Sequence, residues 1–170
     1  SGSARLISGS NRLIHELESS LATFKGVEAS LCFSNGYSAA LGAVTALVGE
    51  GDIVVIDKLV HACMVDAAKL SGAKLRVFKH NDLTDLERIL QWADRGEGKT
   101  LILAESVYSM DGDIAPLRDI VKLKNRYGAW LMVDEAHATG LYGKCRRGMA
   151  EEFGVGSQID VQMGTLGKAL

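Results

Sequence analysis

Proline is almost missing from this 170-residue chain, with Pro116 the only one. Cysteine is scarce as well. Cys32, Cys63 and Cys145 are odd in number, far apart and without C-x-x-C spacing. That excludes a disulfide scaffold and points to a reducing, cytoplasmic setting. No Cys/His set stands at zinc-ligand spacing, so no metal site is expected. Aromatic residues make up only 6%. No apolar run approaches the ~20 residues of a membrane-spanning helix, and the opening residues do not read as a signal peptide. Neither sign of charge dominates: 19 Lys and Arg stand against 21 Asp and Glu. No global basic field therefore calls for nucleic acid or an anionic membrane. No G-x-G-x-x-G follows a strand-like run, which leaves a nicotinamide-binding turn unsupported.

What is present is an ordinary globular mix, 47% apolar and 24% charged, long enough for one domain with a real core. Short β-like runs alternate with longer amphipathic ones. Strands are expected at 29–33, 52–56, 74–78, 100–104, 129–133 and, more weakly, 159–163. Helices are expected at 37–48, 61–71, 83–93 and 117–126. In the third of these Leu83, Leu86, Ile89 and Leu90 share a face, with Asn81 or Asp82 as cap. The strands run apolar residues together instead of alternating them, as strands covered on both faces do. The fold class expected is α/β, a mostly parallel sheet sandwiched by helices through right-handed crossovers. Residues 1–25 read as an N-terminal segment with an amphipathic helix, Ile14, Leu17, Leu21 and Phe24 on one face, stopped at Lys25-Gly26. Residues 26–170 read as the large domain. Since Lys168 follows directly on a strand and turn, a segment of a longer protein is expected.

In open parallel sheets, ligands bind beyond the carboxyl ends of the strands. Ser34-Asn35-Gly36-Tyr37 is expected at one such end, opening a helix whose first N–H groups suit an anion. Alone it reads equally well as a tight turn. Asp57 to His61 follows the next strand, and a histidine at a helix start is often only a cap. Glu105 to Asp113 is a polar loop of small residues. Asp134-Glu135-Ala136-His137 ends a buried strand, where acids are costly unless paired. Gly164-Thr165-Leu166-Gly167-Lys168 offers a hydroxyl, two permissive glycines and an amine. Each is weak alone. Together they put an anion loop, a histidine, a carboxylate and a lysine on one rim. His80, in the polar stretch Lys79-His-Asn-Asp82, reads as part of a solvated turn.

One decoy stands apart. Gly98-Lys99-Thr100 ends a relaxed P-loop pattern, and Asp134 to His137 spells a helicase-like Asp-Glu-Ala-His box. A P-loop needs a strand before the loop and a helix after it. Here a helix precedes and a strand follows, so nucleotide hydrolysis is a distant alternative.

The chemistry that uses this rim is that of pyridoxal 5'-phosphate (PLP). Its phosphate needs N–H and hydroxyl donors, its ring nitrogen a carboxylate, its phenolic oxygen a donor, its ring a flat partner and its aldehyde a lysine. The strings Phe33-Ser-Asn-Gly-Tyr37, Asp57 to His61, Glu105 to Asp113, Val133-Asp-Glu-Ala-His-Ala-Thr-Gly140 and Gly164-Thr-Leu-Gly-Lys168 resemble, in order, those of the α-oxoamine synthases, fold-type I PLP enzymes. The resemblance implies that Lys168 forms the Schiff base with the cofactor and takes the substrate α-proton. It implies that Asp134 pairs with the ring nitrogen and that His137 and Ser109 bond the phenolic oxygen. It further implies that His61 stacks on the ring, that Asn35, Gly36 and Tyr37 meet the phosphate or cofactor edge, and that Thr165 bonds the phosphate. The family joins an amino acid to an acyl thioester with loss of carbon dioxide, as a homodimer closed by a small C-terminal domain. The stretch from Tyr108 to Leu117 is most like the biotin-pathway member, which takes L-alanine and a pimeloyl thioester, on coenzyme A or a carrier protein. Members that use glycine or serine remain alternatives. Some family complexes hold a subunit without the lysine; Lys168 argues against that role here.

Overall fold

The computed structural model describes residues 3–169. The chain divides after Ser34 into two compact units.

The first unit holds a single π-type turn, Arg5–Gly9, and helix α1, Arg12–Lys25. Asn11 caps α1 by accepting the Ile14 N–H at 3.2 Å, and Gly26, at φ 70°, ends it in the left-handed conformation that suits glycine. The buried positions of α1 are Glu18 and Ala22. The expected apolar face is only half covered within this unit, and Leu17 is exposed. Glu18 is buried because it is paired: Arg5 reaches it at 2.6 Å and holds its carboxyl below the usual range.

The same glutamate explains why residues 29–33 form no strand. The Cys32 N–H goes to the Glu18 carboxylate at 2.8 Å, and the Ser30 hydroxyl to the Glu18 carbonyl at 2.7 Å. Polar groups of this segment are thus satisfied by α1, and Leu31 and Phe33 are exposed. The first expected strand is therefore corrected to an extended loop.

The second unit contains α2 (Gly36–Leu47), β1 (Ile53–Asp57), α3 (Ala62–Leu70), β2 (Lys74–Phe78), α4 (Leu83–Ala93), β3 (Thr100–Glu105), α5 (Leu117–Arg126), β4 (Trp130–Asp134), a short α6 (Met149–Glu152) and β5 (Val161–Met163). All five strands are parallel, in the order β2-β1-β3-β4-β5. The central strands are buried along their length because Ile-Val-Val-Ile and Leu-Ile-Leu-Ala meet helices on both sides. α2 packs on α3, and α4 packs on α5. Leu101, Ile102, Leu103, Leu131 and Met132 are fully enclosed, so truncating any one of them to alanine costs roughly 2–5 kcal/mol.

β2 lies at an edge and is polar for that reason. Lys74 and Arg76 lie 4.8 and 4.5 Å from the Trp92 ring of α4, covering an edge that could otherwise pair with another chain. In this order the chain moves outward from β1 to β2, then returns past β1 to β3. The reversal between β1 and β3 is the topological switch point, the place in open α/β sheets where ligands bind beyond the carboxyl ends of the strands.

Candidate active site

Three strands end on an acid at that rim: β1 on Asp57, β3 on Glu105, β4 on Asp134. Glu105 and Asp134 are register partners on adjacent strands, so their side chains leave the same face. Both are nearly sealed from solvent. Burial pushes the Asp134 carboxyl up, while the Ala136 N–H at 2.8 Å and the charges of Lys168, His61 and His137 pull it back. Lys168, His61 and His137, which the sequence placed beside Asp134 on functional grounds, thus stand close enough in space to bear on its carboxyl.

His61 caps α3, accepting the Cys63 N–H on Nδ1 at 3.2 Å. That bond assigns the proton of the neutral ring to Nε2. The His61 backbone N–H donates to Glu105 Oε1, and the Ser109 N–H donates to Glu105 Oε2 at 3.1 Å. Ser109 sits in a loop closed on itself. Tyr108 N–H donates to the Asp113 carbonyl and Gly112 N–H to the Tyr108 carbonyl, each at 2.9 Å, and Gly112 turns at φ 71°.

Asn35 caps α2 by accepting the Ser38 N–H at 2.8 Å, and the Gly36 and Tyr37 N–H groups that open the helix are placed to suit an anion. The need for glycine at 36 is steric: a Cβ there would lie 2.8 Å from Thr165 Cγ2. The start of α2 and the turn after β5 are therefore in contact. Lys168 Nζ donates to Thr165 Oγ1 at 3.2 Å. Lys168 is exposed in this chain. The Tyr37 hydroxyl donates to Asp66 on α3 at 2.8 Å, which directs it along the helix surface. Burial and the Lys168 charge hold the His137 imidazole below its ordinary value, which favours a neutral ring.

The site residues expected from the sequence are thus arranged around the ends of β1, β3, β4 and β5 and the start of α2. Glu105 was not among them, although its signal was available: an acid closing a run of buried apolar residues, as Asp134 closes Leu-Met-Val. Glu135 has a structural role. It is fully buried, accepts the Ala150 N–H at 2.8 Å and lies against Gly148, whose φ of 118° requires glycine. His80 departs from expectation. It is half-buried and bridges Asp57 and Asp113. The Gly98-Lys99-Thr100 decoy lies on the loop between α4 and β3, with Gly98 packed on the Gly51 backbone. No cluster of metal-ligating side chains occurs among the described residues.

The model of the aminotransferase class I and II family matches residues 1–170. An 8-amino-7-oxononanoate synthase of Geobacter sulfurreducens is 54% identical over 170 residues, covering 100% of this chain and 43% of its own. The corresponding protein of Citrifermentans bemidjiense is 52% identical, with 43% of its length covered. Among solved structures, a serine palmitoyltransferase of S. paucimobilis with a bound PLP–myriocin aldimine superposes with a TM-score of 0.94 at 36% identity, over 99% of this chain and 42% of that one. An 8-amino-7-oxononanoate synthase of Francisella tularensis superposes at 0.77 with 31% identity, over 94% of this chain and 45% of that one. The chain spans less than half the length of these relatives. On the rim geometry and these matches together, the chain belongs to the aminotransferase class I and II family, within its PLP-dependent α-oxoamine synthase branch.

Proposed function

We propose that this chain is the PLP-binding part of an enzyme that condenses L-alanine with a pimeloyl thioester, releasing carbon dioxide and giving 8-amino-7-oxononanoate. The observation that carries this reading is Asp134: a buried carboxylate at the end of β4, with the charges of Lys168, His61 and His137 acting on it. The groups present fit the cofactor. A buried acid held up by desolvation is relieved by a cationic ring nitrogen. The close approach of Gly36 to Thr165 leaves backbone N–H groups and a hydroxyl together for a phosphate.

PLP, when bound, supplies a sink for the negative charge left on the substrate α-carbon. The chain's own residues do the rest. The first turn of α2, from Asn35 through Gly36 and Tyr37, and the Thr165 hydroxyl hold the phosphate. Asp134 keeps a proton on the ring nitrogen. His137 and Ser109 donate to the phenolic oxygen. His61 covers the ring face. Lys168 Nζ holds the cofactor and moves the α-proton of the amino acid. Assembly is as a homodimer in the cytoplasm, with the rest of the longer protein closing the site.

The choice of alanine and a pimeloyl thioester rests on identity. Curated relatives named as the synthase reach 54%, above the 36–37% of the solved serine palmitoyltransferases, although the solved synthase of Francisella tularensis stands at 31%. The test is to give the full-length enzyme alanine, glycine or serine, each with pimeloyl-coenzyme A and with pimeloyl carrier protein, and measure carbon dioxide release. Alanine alone should support turnover. Equal or better turnover with glycine or serine would reassign the substrate within the branch.

A further inference from the structure

His80 sits at the turn between β2 and α4, beside Asn81, whose φ of 52° is a left-handed conformation asparagine tolerates. Its Nδ1 lies 2.8 Å from Asp57 Oδ1 and its Nε2 lies 2.7 Å from Asp113 Oδ2. A neutral imidazole has one N–H and cannot donate to both carboxylates; an imidazolium can. Asp57 is fully buried and also accepts the N–H groups of Leu59 at 2.8 Å and Asn81 at 2.9 Å. Asp113 also accepts the Asn81 amide at 2.7 Å. The Tyr108 ring packs perpendicular to the imidazole, centroid to centroid 4.5 Å.

We propose that His80 is a positioning residue: as an imidazolium held between Asp57 and Asp113, it clasps the loop from Ser106 to Ala115 to the end of β1 and so sets where Ser109 stands. What Ser109 does there rests on the function proposed above; the clasp does not. The loop is tied to its surroundings by Ser106 on the Asp134 carbonyl, by Glu105 at Ser109, and by His80 and the Asn81 amide at Asp113, and the Tyr108–Asp113 backbone bond joins the last two points. The charges acting on His80 are Asp57 from β1 and Asp113 from the loop, while Tyr108 and Asn81 face it as uncharged groups. Lys79, next to His80 in sequence, and Lys58, next to Asp57, are exposed. Burial opposes the charge on His80, but the two carboxylates outweigh it and hold the ring above its ordinary value. A raised value gives the sign: the clasp is complete below the unfolded pKa of about 6.5 and is lost as pH rises through the folded value.

The experiment uses full-length protein without cofactor. The His80 ring is titrated by NMR while hydrogen exchange of the Tyr108 and Gly112 amides is followed from pH 6 to 9. His80 should titrate above an ordinary histidine. Protection of those amides should fall about tenfold through the same transition, with β3 and β4 unchanged. Asp113→Asn should move both transitions down together. In the cofactor-loaded enzyme the alkaline limb of kcat/KM should move with them. A His80 that titrates at or below the ordinary value, or loop protection indifferent to its titration, overturns the clasp. Failure of the protein to take up PLP would instead overturn the proposed function and leave these readings valid. An active enzyme whose alkaline limb ignores Asp113→Asn would refute positioning through Ser109.

Discussion

The Glu105 carboxylate accepts the backbone N–H of His61, 44 residues away, and with its other oxygen the N–H of Ser109. One buried acid thus fixes the loops after β1 and β3 across the switch point. Burial and the neighbouring Asp134 push this carboxyl up to about 7, against the pull of the two N–H donors. An unfolded glutamic acid ionises near 4.5, the folded one near 7, so its contribution is full below 4.5 and declines as pH rises to about 7. The slope is on the order of 1 kcal/mol per pH unit.

Glu105→Gln removes that titration and leaves an amide that cannot accept both N–H groups. Denaturant unfolding of the cofactor-free full-length protein should show the wild type losing its advantage over the variant between pH 4.5 and 7. A difference that stays flat across this window would mean that Glu105 ionises as an exposed acid does.

Gly36→Ala should weaken cofactor binding about tenfold, ~1.4 kcal/mol, by forcing Thr165 away from the start of α2. Thr165→Ser deletes the methyl group that lies 2.8 Å from the new Cβ and keeps the hydroxyl. The double variant should regain most of the lost affinity. PLP titrations of the four proteins measure the coupling, and additive losses would show that the two residues do not share the phosphate.

Asp134→Asn should cost far more rate than affinity. An amide holds the ring nitrogen unprotonated, and each unit of lost proton affinity is about 1.4 kcal/mol. Exchange of the alanine α-proton with deuterium, followed by NMR, should slow at least about tenfold while PLP binding changes less. Exchange at the wild-type rate would remove Asp134 from the ring.

Most of the sheet was legible because its strands are doubly covered. Ile53-Val-Val-Ile56 and Leu101-Ile-Leu103 have no other way to bury themselves, and the helices between them carry clear apolar stripes and caps such as Asp82. The stretch 29–33 has the composition of a strand, but its partner is a glutamate in α1, a choice made by tertiary contact. His80 was misread for the same reason. Its neighbours in sequence are polar, while its neighbours in space are two carboxylates 23 and 33 residues away. Asp134, His137 and Lys168 were legible because a polar group after a buried parallel strand has few structural uses. Glu105 satisfies the same criterion, but its partners are backbone N–H groups, which leave no trace in side-chain pattern.

We assign the covalent hold on PLP to Lys168, beside Thr165 and within reach of the field of Asp134. The most direct test of that assignment is chemical. Full-length protein loaded with PLP is reduced with borohydride, digested and mapped by mass spectrometry. The pyridoxyl group should sit on Lys168 alone, and Lys168→Ala should fold normally, carry no label and show no turnover. Label on another lysine, or normal product formation by the Lys168→Ala enzyme, would contradict the account.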